Sequence, residues 1–113
     1  FLSPAYKSNG HVFCSGSVGT DAAGKIPTDV KLQTEIAIKN LEGVLKASGS
    51  SLDRVLKVLL FVAHPADAAK VNEVYAKYFT TKPSRSCIVV GFPNPEIKVE
   101  LECVAEYKEI KSK

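Results

Sequence analysis

Val55-Leu56-Lys57-Val58-Leu59-Leu60-Phe61-Val62 is apolar at every position but one, so as a strand it sends hydrophobic side chains to both faces of any sheet it joins. Both faces must then be covered. The chain has 113 residues, about the length of one ordinary domain, which excludes separate cofactor and substrate lobes and points to one domain over residues 1–113. With 45% apolar and 24% charged residues it lies near the globular average. A chain of this size buries roughly two-thirds of its unfolded surface and needs no disulfide staples, so intrinsic disorder is excluded.

Periodicity supplies the other elements. Asn9-Gly10 is a hairpin signal, because a type I′ turn needs positive φ at both central residues; it should join a segment around Leu2 to Lys7 to a strand His11 to Ser15. The stretch Gly16 to Gly24 reads as a bent strand and a turn, and it matches neither GxGxxG nor GxxxxGK. From Asp29 to Ala47, Val30, Ala37, Leu41, Val44 and Leu45 recur at helical spacing, with Thr28 or Asp29 to cap the start and Gly49 to end the helix. Pro65 opens a second helix to about Phe79, with Ala68, Val71, Val74, Tyr75 and Tyr78 toward the core. Ser86 to Val90 follows as a buried-type strand, which makes Val55 to Val90 a βαβ unit with parallel strands. In the last strand, Ile97 to Ala105, alternation sends Val99, Leu101, Cys103 and Ala105 to one face and Lys98, Glu100, Glu102 and Val104 to the other.

Two helices cover one face of a five- or six-stranded sheet, whereas the central strand is apolar on both. The open face is expected to be buried by other copies of the chain; loops folded over it are the plainer alternative.

Charge and cysteines narrow the function. Fifteen Lys and Arg against twelve Asp and Glu leave +3, partly in the tail Lys108 to Lys113, and no clustered basic patch implies nucleic acid. Cys14, Cys87 and Cys103 are widely spaced without CxxC, and read as reduced core residues of an intracellular protein, cytoplasmic or mitochondrial. The longest apolar run is far short of the ~20 residues that span a bilayer. No targeting segment is visible in a sequence that opens at Phe1. His11 and His64 are not spaced as metal ligands, and neither a metal nor a cofactor is expected.

Two charged residues stand out. Arg85 follows the rigid Pro83 at a strand start, and Glu100 lies mid-strand on the face opposite Val99 and Leu101, where partners must cover it. Burying a carboxylate costs several kcal/mol unless it is paired or left partly wet. Each residue alone reads first as part of a surface salt bridge; together at an interface cleft they suit a small-molecule site.

Pro83-Ser84-Arg85-Ser86-Cys87-Ile88, followed by Lys98-Val99-Glu100-Leu101-Glu102 with the Glu fifteen positions after the Arg, resembles the signature of the RidA/YjgF family of reactive-intermediate deaminases. Phe13-Cys14-Ser15-Gly16 and Val71-Asn72-Glu73-Val74-Tyr75 are similar to further family segments, so the resemblance spans nearly the whole chain. It implies an α+β, chorismate-mutase-like fold and a homotrimer with clefts between subunits. It also implies hydrolysis of 2-imino acids, such as those released by threonine or serine dehydratases, to 2-keto acids and ammonia. In that scheme Arg85 clamps the substrate carboxylate and Glu100 places the water. Backbone near Cys87 orients the substrate, and Ser15 and Asn72 add hydrogen bonds; a turn hydroxyl and a helix-surface amide are the alternatives for the last two. The chain departs from the family pattern where Leu2 stands near the usual Tyr and Ser17-Val18-Gly19 replaces Gln-Ile-Pro, both in segments that line the cleft and bear on substrate size. Activities of other classes are ribonuclease or translation inhibition, and a non-catalytic ligand-binding or chaperone-like trimer.

Overall fold

The computed structural model describes residues 2–107; the lysine-rich tail, expected to be a solvated end, lies outside the described residues. Strands β1 (Ala5–Ser8) and β2 (His11–Val18) form the expected hairpin, with Asn9 and Gly10 at φ +50° and +81°. Helix α1 (Val30–Ala47) starts at Asp29, whose carboxylate accepts the Leu32 N–H at 2.9 Å, and ends before Gly49 at φ +82°. Strand β3 (Val55–Val62) follows. Pro65–Asp67 is a 3₁₀ turn, not the first turn of the second helix, and α2 runs Ala68–Tyr78. Strands β4 (Ser84–Val89) and β5 (Val99–Glu106) complete a five-stranded sheet of order β1-β2-β5-β3-β4, parallel between β3 and β4 and antiparallel elsewhere.

Alternation decides what the helices bury. Val99, Leu101, Cys103 and Ala105 of β5 and Val58, Leu60 and Val62 of β3 pack with Ile38, Leu41, Leu45 and Val71 into one core on the helical side. Ile38 adds to the expected helix stripe, and so does a buried polar residue. Gln33 donates to the carbonyls of Pro27 and Glu96 at 2.7 and 2.8 Å and accepts the Lys98 N–H at 3.0 Å, which satisfies its amide while tying two loops to α1.

Among the described residues nothing packs over the opposite face as the helices do over the first. Phe13 is 49% exposed there, beside its register partners Tyr6 and Val104, and Leu59, Phe61 and Ile88 continue the patch. The two-sided apolar character of β3 therefore survives folding of one copy.

The β4 segment departs from expectation. It starts two residues earlier than the apolar run suggests, which puts Arg85 inside the strand, and Cys87, Ile88 and Val89 are exposed. The reason is its place at the sheet edge, paired on one side only, while α1 packs over β2 and the central strand β5. Cys87 is accordingly not a core residue. Cys14 and Cys103 are buried as expected, free thiols facing each other as register partners across β2 and β5. The hydrogen bond with Cys14, and next burial, push the Cys103 thiol up and keep it protonated.

Where β2 leaves the sheet, a Cβ on Gly19 would lie 2.5 Å from the Gln33 carbonyl oxygen and 2.7 Å from its Cα, both backbone atoms that cannot rotate away. Gly19→Ala is expected to destabilise the fold by about 1–3 kcal/mol, read as a lower urea midpoint at unchanged slope.

Candidate functional site

The expected site residues fall into two groups. Arg85 shares the helical side of the sheet with its register partner Val58, and it reaches α2. Its Nη1 donates to Asn72 Oδ1 at 2.8 Å, and its guanidinium lies over the Tyr75 ring at 4.7 Å from the centroid. Tyr75 in turn stacks on Phe79, centroids 4.4 Å apart. These four side chains line a cavity of about 470 Å³ together with Lys82 and Pro83. The size and the mixture of aromatic wall and cation suit a small organic anion. Burial pushes the Tyr75 hydroxyl up, against the opposing charge of Arg85, and that hydroxyl has no hydrogen-bond partner among the described residues.

Glu100 sits on the other side. It alternates with the fully buried Val99 and Leu101, and pairs in register with Phe61 and Val18 on the uncovered face. Burial, and next the nearby charge of Glu102, raise its carboxyl above the ordinary glutamate range. Gly16 lets the carboxylate lie flat on β2, for a Cβ there would come 2.7 Å from Glu100 Cδ and 2.8 Å from Oε2. The register of β2 shifts between Cys14 and Ser17, so a bulge re-aims this segment toward Glu100. Next to Gly16, the Ser15 hydroxyl donates to the Ser3 carbonyl at 2.6 Å and ties down the N-terminal segment.

One chain thus unites Arg85 with Asn72 and, separately, Glu100 with the Ser15-Gly16 bulge. It does not unite Arg85 with Glu100, which occupy opposite faces of the sheet on strands separated by β3. Cys87 lies two residues beyond Arg85, exposed on the same edge strand. Two contacts escaped the sequence reading. Tyr75 passes for a core aromatic, although it stands one helical turn after Asn72; Gly16 carries the signal of a glycine inside a strand, which marks close approach of another group. Among the described residues no cluster of three or more His, Cys, Asp or Glu side chains is arranged to hold a metal ion. No helix among them is long and apolar enough to cross a membrane.

Comparison with known proteins locates this fold. The Saccharomyces cerevisiae protein HMF1 is 41% identical over 105 residues, 91% of this chain and 81% of its own. Reactive Intermediate Deaminase A, chloroplastic, of Arabidopsis thaliana is 42% identical over 106 residues, 91% of this chain but 57% of the plant protein. Two relatives from Schizosaccharomyces pombe carry names that place them in mitochondria. The crystal structure of Escherichia coli TdcF with bound serine superposes at a TM-score of 0.88 with 28% identity, covering 95% of this chain and 88% of that one. Residues 2–107 match the family model described as endoribonuclease L-PSP. With that match over nearly its whole length and the two-helix, five-stranded fold in agreement, the chain belongs to the endoribonuclease L-PSP family, the RidA/YjgF family of reactive-intermediate deaminases.

Proposed function

We propose that this protein hydrolyses small 2-imino acids to 2-keto acids and ammonia, in clefts that two copies of the chain complete within a homotrimer. The observation that carries the proposal is the Arg85 guanidinium, held at two points on the wall of a cavity of about 470 Å³. A planar, permanently charged fork matches a carboxylate by two parallel hydrogen bonds and fixes which face of the C=N bond is open. Glu100 takes a proton from water as the oxygen bonds to C2 and the C=N electron pair moves to nitrogen, and Glu100 then gives that proton to the nitrogen. As the carbinolamine collapses, Glu100 carries the hydroxyl proton to the amine, C=O forms, C–N breaks, and ammonia leaves with the carboxylate restored. Imines hydrolyse readily in water, so a clamp and one placed water suffice, and no cofactor enters the scheme.

The separation of Arg85 from Glu100 in one chain supports the second copy. The β4 edge with Arg85 and the uncovered face with Glu100 are both free to meet a neighbour, and burying Phe13, Leu59, Phe61 and Ile88 supplies the association energy. Sedimentation equilibrium is expected to give three times 12.2 kDa. Free thiols at Cys14, Cys87 and Cys103 suit a reducing compartment, cytoplasm or mitochondrion.

The test couples the protein to a threonine dehydratase with semicarbazide competing for the released imine. Faster keto acid formation with less semicarbazone is expected; unchanged semicarbazone refutes the proposal. The matching family's description names an endoribonuclease. Cleavage of single-stranded RNA that persists when Arg85 and Glu100 are both replaced would favour that activity.

The Gly16 contact supplies a further check. Gly16→Ala drives a methyl into the Glu100 carboxylate, a flexible group that can swing aside. Turnover is expected to fall about 10- to 100-fold through misplacement of the base, with the urea midpoint nearly unchanged; full activity would show that Glu100 needs no fixed position.

A further inference from the structure

The clamp depends on how the Arg85 guanidinium is oriented, and α2 supplies more than Asn72 for that purpose. A guanidinium offers five N–H donors at its edge and a flat face above and below. Asn72 Oδ1 takes one donor at Nη1, 2.8 Å away, while the Tyr75 ring takes a face, with the guanidinium carbon 4.7 Å from the centroid. The ring is itself braced by Phe79 at 4.4 Å and 21° between planes, so it cannot turn without disturbing the helix end. Contacts of this geometry are attractive even where partly wet. The hydroxyl does not explain why Tyr75 stands here, because it is enclosed and unbonded among the described residues, an arrangement that costs stability. The ring face is the part that Arg85 uses.

We propose that Tyr75 is a positioning residue for the carboxylate clamp: its ring, braced by Phe79, carries the face of the Arg85 guanidinium and leaves the N–H edge not taken by Asn72 for the ligand. The inference rests on the reading of this cavity as the imino acid site. It makes affinity for a carboxylate depend on an aromatic ring that never touches the reacting atoms.

Tyr75→Leu removes the ring and Tyr75→Phe restores it without the hydroxyl. In the full-length protein, Tyr75→Leu is expected to raise KM for the imino acid and the calorimetric Kd of 2-ketobutyrate about tenfold, with the loss falling on KM and not on kcat. The ratio of affinities for 2-ketobutyrate and for its uncharged amide should collapse with it. Tyr75→Phe is expected to rescue both to within about threefold. A loosened fold would instead weaken acid and amide alike, and that result, or a Phe variant as poor as the Leu variant, overturns the inference. The Arg85 side-chain proton resonances provide a readout without substrate, since protons over a ring are shifted upfield. The shift should be present in the parent and in Tyr75→Phe and lost in Tyr75→Leu. If the parent neither binds 2-ketobutyrate nor turns over imine while the shift follows this pattern, the imine reading fails and the positioning of Arg85 by Tyr75 stands. A shift unaltered in Tyr75→Leu overturns the positioning role whatever the kinetics.

Discussion

Replacing Arg85 by alanine is expected to lower kcat/KM for imino acid hydrolysis by about a hundred- to a thousandfold while the chain stays folded. Hydrogen bonds to a charged group contribute about 1.5–3 kcal/mol each, and a bidentate carboxylate clamp makes two of them. The larger part of the loss should appear in KM, because the carboxylate is held in the ground state as well as in the transition state. Stability should change little: Arg85 lies on an edge strand, half-buried, and forms no ion pair in the described chain. Arg85→Lys tests the geometry, for a lysine keeps the charge but not the planar fork and should recover only a small part of the loss. Steady-state rates with dehydratase-generated imine read both variants. An Arg85→Ala protein that still accelerates keto acid release at the parental rate would remove the clamp from the mechanism.

Glu100→Gln is expected to cut kcat by about a hundredfold or more, since an amide cannot accept the proton of the attacking water. The same substitution should slightly stabilise the fold at neutral pH, and the sign follows from the raised carboxyl. A carboxyl that ionises less readily in the folded chain than in the unfolded one makes the folded state bind the proton more tightly, so ionisation costs stability. Below the ordinary glutamate value of 4.5 that cost is absent. It develops as pH rises through that value and the raised folded one, and it persists at neutrality. Thermal midpoints of parent and variant should therefore coincide in acid and diverge in favour of Gln at pH 7, by a small amount because water reaches the half-buried side chain. Activity runs the other way: it requires the carboxylate and should decline on acidification at a higher pH than an ordinary glutamate would give. A variant that gains neither thermal stability at pH 7 nor a deficit in kcat would show that Glu100 is a solvated surface residue.

Much of the architecture was legible from local pattern. The Asn9-Gly10 turn, the capped amphipathic helix from Asp29, and the strict alternation of β5 each depend on residues within a few positions of one another. The choice of Arg85 and Glu100 came from residue type and from a resemblance over the flanking segments. The edge position of β4 was not legible, and with it went the expectation that Cys87 is buried: an apolar run reads the same whether the strand lies at the centre or at the rim of a sheet.

Sequence by itself determined most of the elements, the two-sided hydrophobicity of β3 and the chemistry that the Arg85 and Glu100 side chains can offer, because these are set by neighbouring residues and side-chain type. Only the tertiary structure decided that Arg85 and Glu100 lie on opposite faces of the sheet, that Tyr75 carries the guanidinium, and that Gly16 makes room for the carboxylate. Those relations arise from strand order and register between segments far apart in the chain; a glycine inside a strand signals a close approach, but local pattern does not say which group approaches.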